Sequence, residues 1–459
     1  MPFDNTQTAL ISLDGLNSSD FASLCELLPK TAPHLLAGSL SRLDAGLLTS
    51  AQAIWGELLT GRPWYINGCP GHASPWKTLN LTKPVTEADL TGPIKLLDEE
   101  TRQLVINVPL LLPNKVERTW LSDGSMPLPV TVSPASLASE WPFSDYKPRP
   151  SSSLIKLLAY PKDWIPECIA SERLRLECTR QLLRDCDWES CVIRLSLFDQ
   201  LSHILGIGYL TDNDLLFAEP IRDFIMFLDQ WMADLFANVL DVAVISAFSH
   251  TTCHARINLN SLLSEGGFLS FGKADVANRH RLAALAVMSG DGIDDEHNVE
   301  VPPVPRSVLP YTRKSCQQTQ FDTTRTIAAS PILGCIYLNA ADRFQDGNVA
   351  DNQAQKIRAE IQAYLDKKLE QNDISYHLIW SANEIGAANL HRSVPDLLVY
   401  IPGAELHNSS DQSFGPTDKP RSTHCPSGFF WSMSNDKPLV MRTQDVWYTH
   451  SESKQRTAR

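Results

Sequence analysis

The chain has 459 residues, 43% of them hydrophobic, and a net charge of −13, enough to bury one large core or one core with a cap. No stretch gathers five or more Lys and Arg, so the acidic balance supports solubility and a nucleic-acid backbone is not an expected partner. Apolar runs such as 104–112 fall well short of the roughly twenty residues that a membrane-spanning helix needs, so no membrane partner is expected either.

Met1-Pro2-Phe3-Asp4 carries no basic n-region, h-region or cleavage site, so a secretory signal is not expected and the cytoplasm is the default location. The ten cysteines form no CxxC pair; in that setting they read as reduced core thiols. Runs rich in Val, Ile and Leu predict buried strands at Ala9–Leu13, Leu104–Leu112, Cys191–Phe198, Val239–Phe248, Leu333–Asn339, Asp396–Ile401 and Phe429–Met433. Between them, helical periodicity covers Glu167–Cys186, Pro220–Val239 and Asp351–Gln371. This alternation predicts an α/β fold, a mostly parallel sheet sandwiched between helices, with functional groups at the carboxyl ends of strands. Asp14-Gly15 follows the first run, Asp199 and His203 the third, Ser249-His250 the fourth, and His424 lies just before the last. Residues 261–330, with Gly266-Gly267 and a proline-rich 301–310, read as an insertion and linker.

These residues carry a resemblance. Leu13-Asp14-Gly15-Leu16, Ile54-Trp55 through Leu59-Thr60-Gly61-Arg62-Pro63, the Asp-x-x-x-His pair Asp199/His203, Asn258-Leu259-Asn260, Gly334–Asn339, Pro395–Val399 and Ser422-Thr423-His424 occur in one order from about residue 9 to 434. The ordered set resembles the type I phosphodiesterase and nucleotide pyrophosphatase branch of the alkaline phosphatase superfamily. The resemblance implies a three-layer α/β sandwich with an inserted cap, two divalent metals, and a Thr or Ser that becomes a transient phosphoenzyme. It also implies that Asp199, His203 and His424 ligate one metal and that Asp14 belongs to the other. Two imidazoles and a carboxylate suit zinc or non-haem iron.

The pattern breaks at two places. The position matching the nucleophile is Ala51, which has no hydroxyl, and Ser50 beside it is a weak substitute because one residue rotates a helical side chain by about 100°. The positions matching an Asp-His ligand pair of the second metal are Ala247-Phe248. His250 and His254 follow closely and are the candidates to compensate. Asp14 is then a remnant of the second site, and one zinc is the expected cofactor.

The expected organisation is a first core part at 1–260, the insertion at 261–330, core completion at 331–434 and a short tail at 435–459. Three functions stand open. The first is a fold-retaining protein without phosphoenzyme chemistry that binds a small molecule or protein. The second is a one-metal hydrolase or transferase using Asp199, His203 and His424. The third is a divergent two-metal phosphodiesterase in which Ser50 and His250 stand in for lost groups.

Overall fold

The computed structural model describes residues 7–97, 101–113, 118–124, 131–148, 161–212, 218–239, 241–272, 317–318, 321–374, 377–384, 391–407, 413–433 and 440–446. Most of the expected insertion, including 301–310, and the chain after 446 lie outside them. Among the described residues the largest sheet has nine strands. From edge to edge they are Val440–Arg442, Ser39–Asp44, Ser427–Ser432, Asp241–Ser246, Thr8–Leu13, Ser190–Leu195, Gln103–Ile106, Arg118–Leu121 and Val132–Ser133. Thr8–Leu13 runs parallel to both its neighbours, as does Gln103–Ile106, while Ser427–Ser432 runs antiparallel to both of its own.

The central strands are apolar on both faces because each face has its own core. Leu10, Val192, Ala243, Ile245 and Phe430 join the core of the helix Ala51–Thr60, whereas Ile11, Ile193, Val244 and Phe429 join that of Pro161–Asp185 and Ala218–Asn238. Alternate residues of one strand therefore feed opposite layers, which is the three-layer sandwich expected of a two-sided sheet. The same alternation aims Ser12, Asp14 and Arg194 toward the layer that contains Ala51–Thr60, and this decides the site.

Two expected strands belong elsewhere. Cys335–Leu338 and Leu397–Tyr400 lie in a separate four-stranded sheet with Ala328–Ile332 and Leu378–Ser381, all of its pairs antiparallel. Burial on both faces does not distinguish parallel from antiparallel pairing. The signal lies in the turn, where Ile332 pairs with Cys335 across two residues and Gly334 takes φ +73°, the conformation that the second central residue of a type II turn needs and glycine supplies. The expected run 104–112 also ends early, at Ile106, because Asn107 turns to φ +60° and its side chain donates to the Arg194 carbonyl at 2.7 Å.

Within the expected tail, residues 440–446 supply an edge strand of the main sheet and a turn in which Thr443 is buried. There the Thr443 hydroxyl donates to Glu57, whose other carboxylate oxygen accepts from the Trp64 amide at 2.9 Å. Burial pushes the Glu57 carboxyl up to about 7. A carboxyl that holds its proton more tightly when folded stabilises the fold fully below its ordinary value, and that contribution fades as pH rises to about 7. Stability of the wild type should fall between about pH 4.5 and 7, by at most about 3 kcal/mol from this group. Glu57→Gln should flatten that part of the curve, and chemical denaturation of both proteins from pH 4.5 to 8 would show it. Parallel curves would refute the assignment.

Candidate metal centre

Asp14 sits at the carboxyl end of the central strand, fully buried. Its Oδ1 accepts from the Ser12 hydroxyl at 2.5 Å and the Ala247 amide at 3.1 Å. Its Oδ2 accepts from Trp55 Nε1 at 2.9 Å and Arg194 Nε at 2.5 Å. A carboxylate offers about four acceptor positions, and protein donors take all four. Arg194, 9% exposed, supplies the positive charge. Burial works against that charge, but Asp14 and then Asp199 outweigh it and raise the guanidinium above its ordinary value. Arg194 was not anticipated from sequence, although it is the lone charged residue in the buried strand Ser190–Leu195. A charge in such a strand needs a partner.

The second cluster is built by three elements. The helix Leu197–Leu205 follows its strand after a single residue and places Asp199 and His203 on one face, at i and i+4. Gly15, at φ +102°, lets the helix come this close: a Cβ there would lie 2.6 Å from the Asp199 Cα. The antiparallel strands Ser249–Asn258 and Phe414–Cys425 pair His250 directly with His424, so the two rings share a face. Asp199 Oδ1 then lies 2.9 Å from His250 Nε2, 3.1 Å from His424 Nε2 and 3.5 Å from His203 Nε2, while His203 Nε2 and His424 Nε2 are 3.0 Å apart. Four donor atoms within 4.8 Å of one another could hold a metal ion, and imidazole with carboxylate is a donor set for zinc or iron.

The outer nitrogens are held as well. His424 Nδ1 donates to the Thr49 carbonyl at 2.6 Å. His250 Nδ1 lies 2.8 Å from the Ser422 hydroxyl, which itself donates to the Ser202 carbonyl at 2.6 Å. Burial pulls His250 down to about 3, so its ring is neutral near pH 7. Burial also lowers His203. His424 moves the opposite way: burial opposes its charge, but contact with Asp199 outweighs that and raises it. Burial alone would raise Asp199, yet the adjoining His250 and His424 rings hold it well below the ordinary carboxylate range.

Asp199, His203 and His424 are thus brought together as a set, and Asp14 stands apart from them in its own network. His250 joins the Asp199 cluster and does not compensate at Asp14, because the ladder register sets it opposite His424. His254 is exposed. It is four residues further on, but the register shifts between Cys253 and Ala255 and breaks the alternation that would have returned it to the same face. Ala51 is the first residue of the helix Ala51–Thr60, one turn before Trp55, and Ser50 is its N-cap without a side-chain capping bond. The Ser50 hydroxyl faces Gln52 Oε1 at 3.3 Å. Ala247 and Phe248 are both buried, and the Phe248 ring packs 4.4 Å from the His424 ring, an apolar wall against the cluster.

No family model and no curated protein matches the sequence. Solved structures do. Phosphonoacetate hydrolase from Sinorhizobium meliloti 1021, in complex with phosphonoformate, superposes with a TM-score of 0.56 at 13% identity, over 99% of this chain and 97% of that one. Its complex with phosphonoacetate gives 0.55 over the same shares. Murine ectonucleotide pyrophosphatase/phosphodiesterase 5 is more distant, at 0.47 and 10% identity over 98% and 95%. The fold is that of the alkaline phosphatase superfamily. The alkaline-phosphatase-like sandwich implied by the ordered motifs therefore holds across nearly the whole chain. At these identities the likeness speaks for the fold alone. Among the described residues no helix is long and apolar enough to cross a membrane.

Proposed function

We propose that this chain is a one-metal protein of alkaline-phosphatase-like fold that binds a partner or small molecule without phosphoenzyme chemistry. The observation that carries the reading is Asp14, whose carboxylate takes all four of its hydrogen bonds from Ser12, Trp55, Arg194 and Ala247. A second cation would have to displace a guanidinium that already neutralises the group. Ala51 agrees with this, since a methyl group cannot attack phosphorus, and so do Ala247 and Phe248, which offer no side-chain ligand. Asp199, His203 and His424 would hold the single ion, with zinc the best match to two imidazoles and a carboxylate. When bound, such an ion supplies Lewis acidity. None of the nine described cysteines is in a disulfide, which fits a reducing, cytoplasmic setting.

Metal analysis and turnover assays test this together. The purified protein is expected to hold one equivalent of zinc, to lose it on His203→Ala, and to hydrolyse neither p-nitrophenyl phosphate nor bis-p-nitrophenyl phosphate. Two equivalents with activity abolished by Ser50→Ala would instead establish a divergent two-metal phosphodiesterase. One equivalent with activity that survives Ser50→Ala would establish a one-metal hydrolase, a reading favoured by the His203 side chain, which is 41% exposed and opens the cluster to solvent.

A further inference from the structure

His250 stands two positions beyond Ala247-Phe248, and its ring is fixed from outside the cluster. The Ser422 hydroxyl has one hydrogen, and the Ser202 carbonyl, which can only accept, takes it at 2.6 Å. Ser422 must therefore accept from His250, so Nδ1 is the protonated nitrogen of this ring and Nε2 carries the lone pair. That lone pair faces the Asp199 carboxylate oxygen at 2.9 Å. Two acceptors at this distance repel unless a proton or a metal ion lies between them, and the His250 side chain is only 1% exposed. His424 is arranged the same way: its Nδ1 is spent on the Thr49 carbonyl, and its Nε2 points to Asp199 and His203.

The spacing agrees with one small ion. Bonds of about 2.0–2.1 Å to four tetrahedral ligands place the ligand atoms about 3.3 Å apart. Four of the six separations here are 2.9, 3.0, 3.1 and 3.5 Å, and the other two, from His250 to His203 and to His424, lie within 4.8 Å, so binding would draw those rings together. The donors come from the helix Leu197–Leu205 and from the strands Ser249–Asn258 and Phe414–Cys425, so a shared ion would clamp the three elements.

We propose that His250 is the fourth ligand of the metal centre, closing it as a three-histidine, one-aspartate site in which the ion fastens the fold and leaves no position for water. Ser422 is the positioning residue that fixes the His250 tautomer. The inference rests on the one-metal reading above. Four protein ligands fill a tetrahedral sphere, the pattern of a structural site, whereas a catalytic site keeps one position open.

Cobalt(II) tests it. The wild-type protein should take one equivalent and show the intense visible d–d absorption of a four-coordinate ion. His250→Ala should weaken cobalt and zinc binding by at least about 100-fold in chelator competition, and the bands should fade as water enters the sphere. Ser422→Ala, which leaves every ligand in place, should weaken binding by about 10–100-fold, the range for lost support of a ligating histidine; it serves if His250→Ala does not fold. Unchanged affinity and spectrum in both variants would overturn the His250 assignment while leaving one bound metal. No cobalt or zinc on the wild type would overturn the one-metal reading, and this proposal with it.

Discussion

Replacing Arg194 with Leu should destabilise the protein by about 3–5 kcal/mol, the cost of leaving one partner of a buried ion pair uncompensated. Asp14 is fully buried, and Arg194 is its only charged partner among the described residues. Three donors would remain to the carboxylate, from Ser12, Trp55 and the Ala247 amide, but none of them carries charge. Asp14→Asn combined with Arg194→Leu should recover part of the loss, because the amide needs no counter-charge. Urea denaturation of the wild type, both single variants and the double variant closes the cycle. A loss under 1 kcal/mol for Arg194→Leu, or additivity in the cycle, would mean that the pair does not act as the internal charge balance described above.

The second large effect is on metal removal. An ion that binds only the folded chain stabilises it by about 4 kcal/mol when free metal exceeds the dissociation constant a thousandfold. Stripping the protein with a chelator should therefore lower its melting temperature in calorimetry, and restoring zinc should reverse the change. His424→Ala should melt at one temperature with or without chelator. The variant also loses the tie between the cluster and the Thr49 carbonyl at the start of the helix Ala51–Thr60, so its melting temperature should lie at or below that of the stripped wild type. Identical melting of stripped and zinc-loaded wild type would refute a stabilising ion.

How far the sequence foretold this arrangement varies with the reach of each interaction. Asp199 and His203 are legible because their pairing is local, four residues apart on one helix. Asp14 and the central strands are legible from apolar runs that end in a polar turn. Arg194 and His250 are not read from such patterns. Arg194 acquires its meaning only when three chain segments supply Asp14, Trp55 and Ala247, although a charge inside an apolar strand is itself a request for a partner. His250 acquires its meaning from the register against His424, and one residue of slippage would send it to the opposite face. The separate antiparallel sheet was hidden for a related reason: burial reports how deep a strand lies, and says nothing of its neighbour's direction.

The pairing of His250 with His424 has a consequence for how the protein is made. Asp199 and His424 are 225 residues apart, so a long stretch of chain must follow Asp199 off the ribosome before the cluster's last donor exists. Under the four-ligand proposal, an ion met earlier would find at most Asp199, His203 and His250, and the Thr49 carbonyl that orients His424 would still lack its partner. Tight metal uptake would then have to wait for the strand Phe414–Cys425, and chains interrupted before it would be distinguishable from longer ones by their failure to retain the ion.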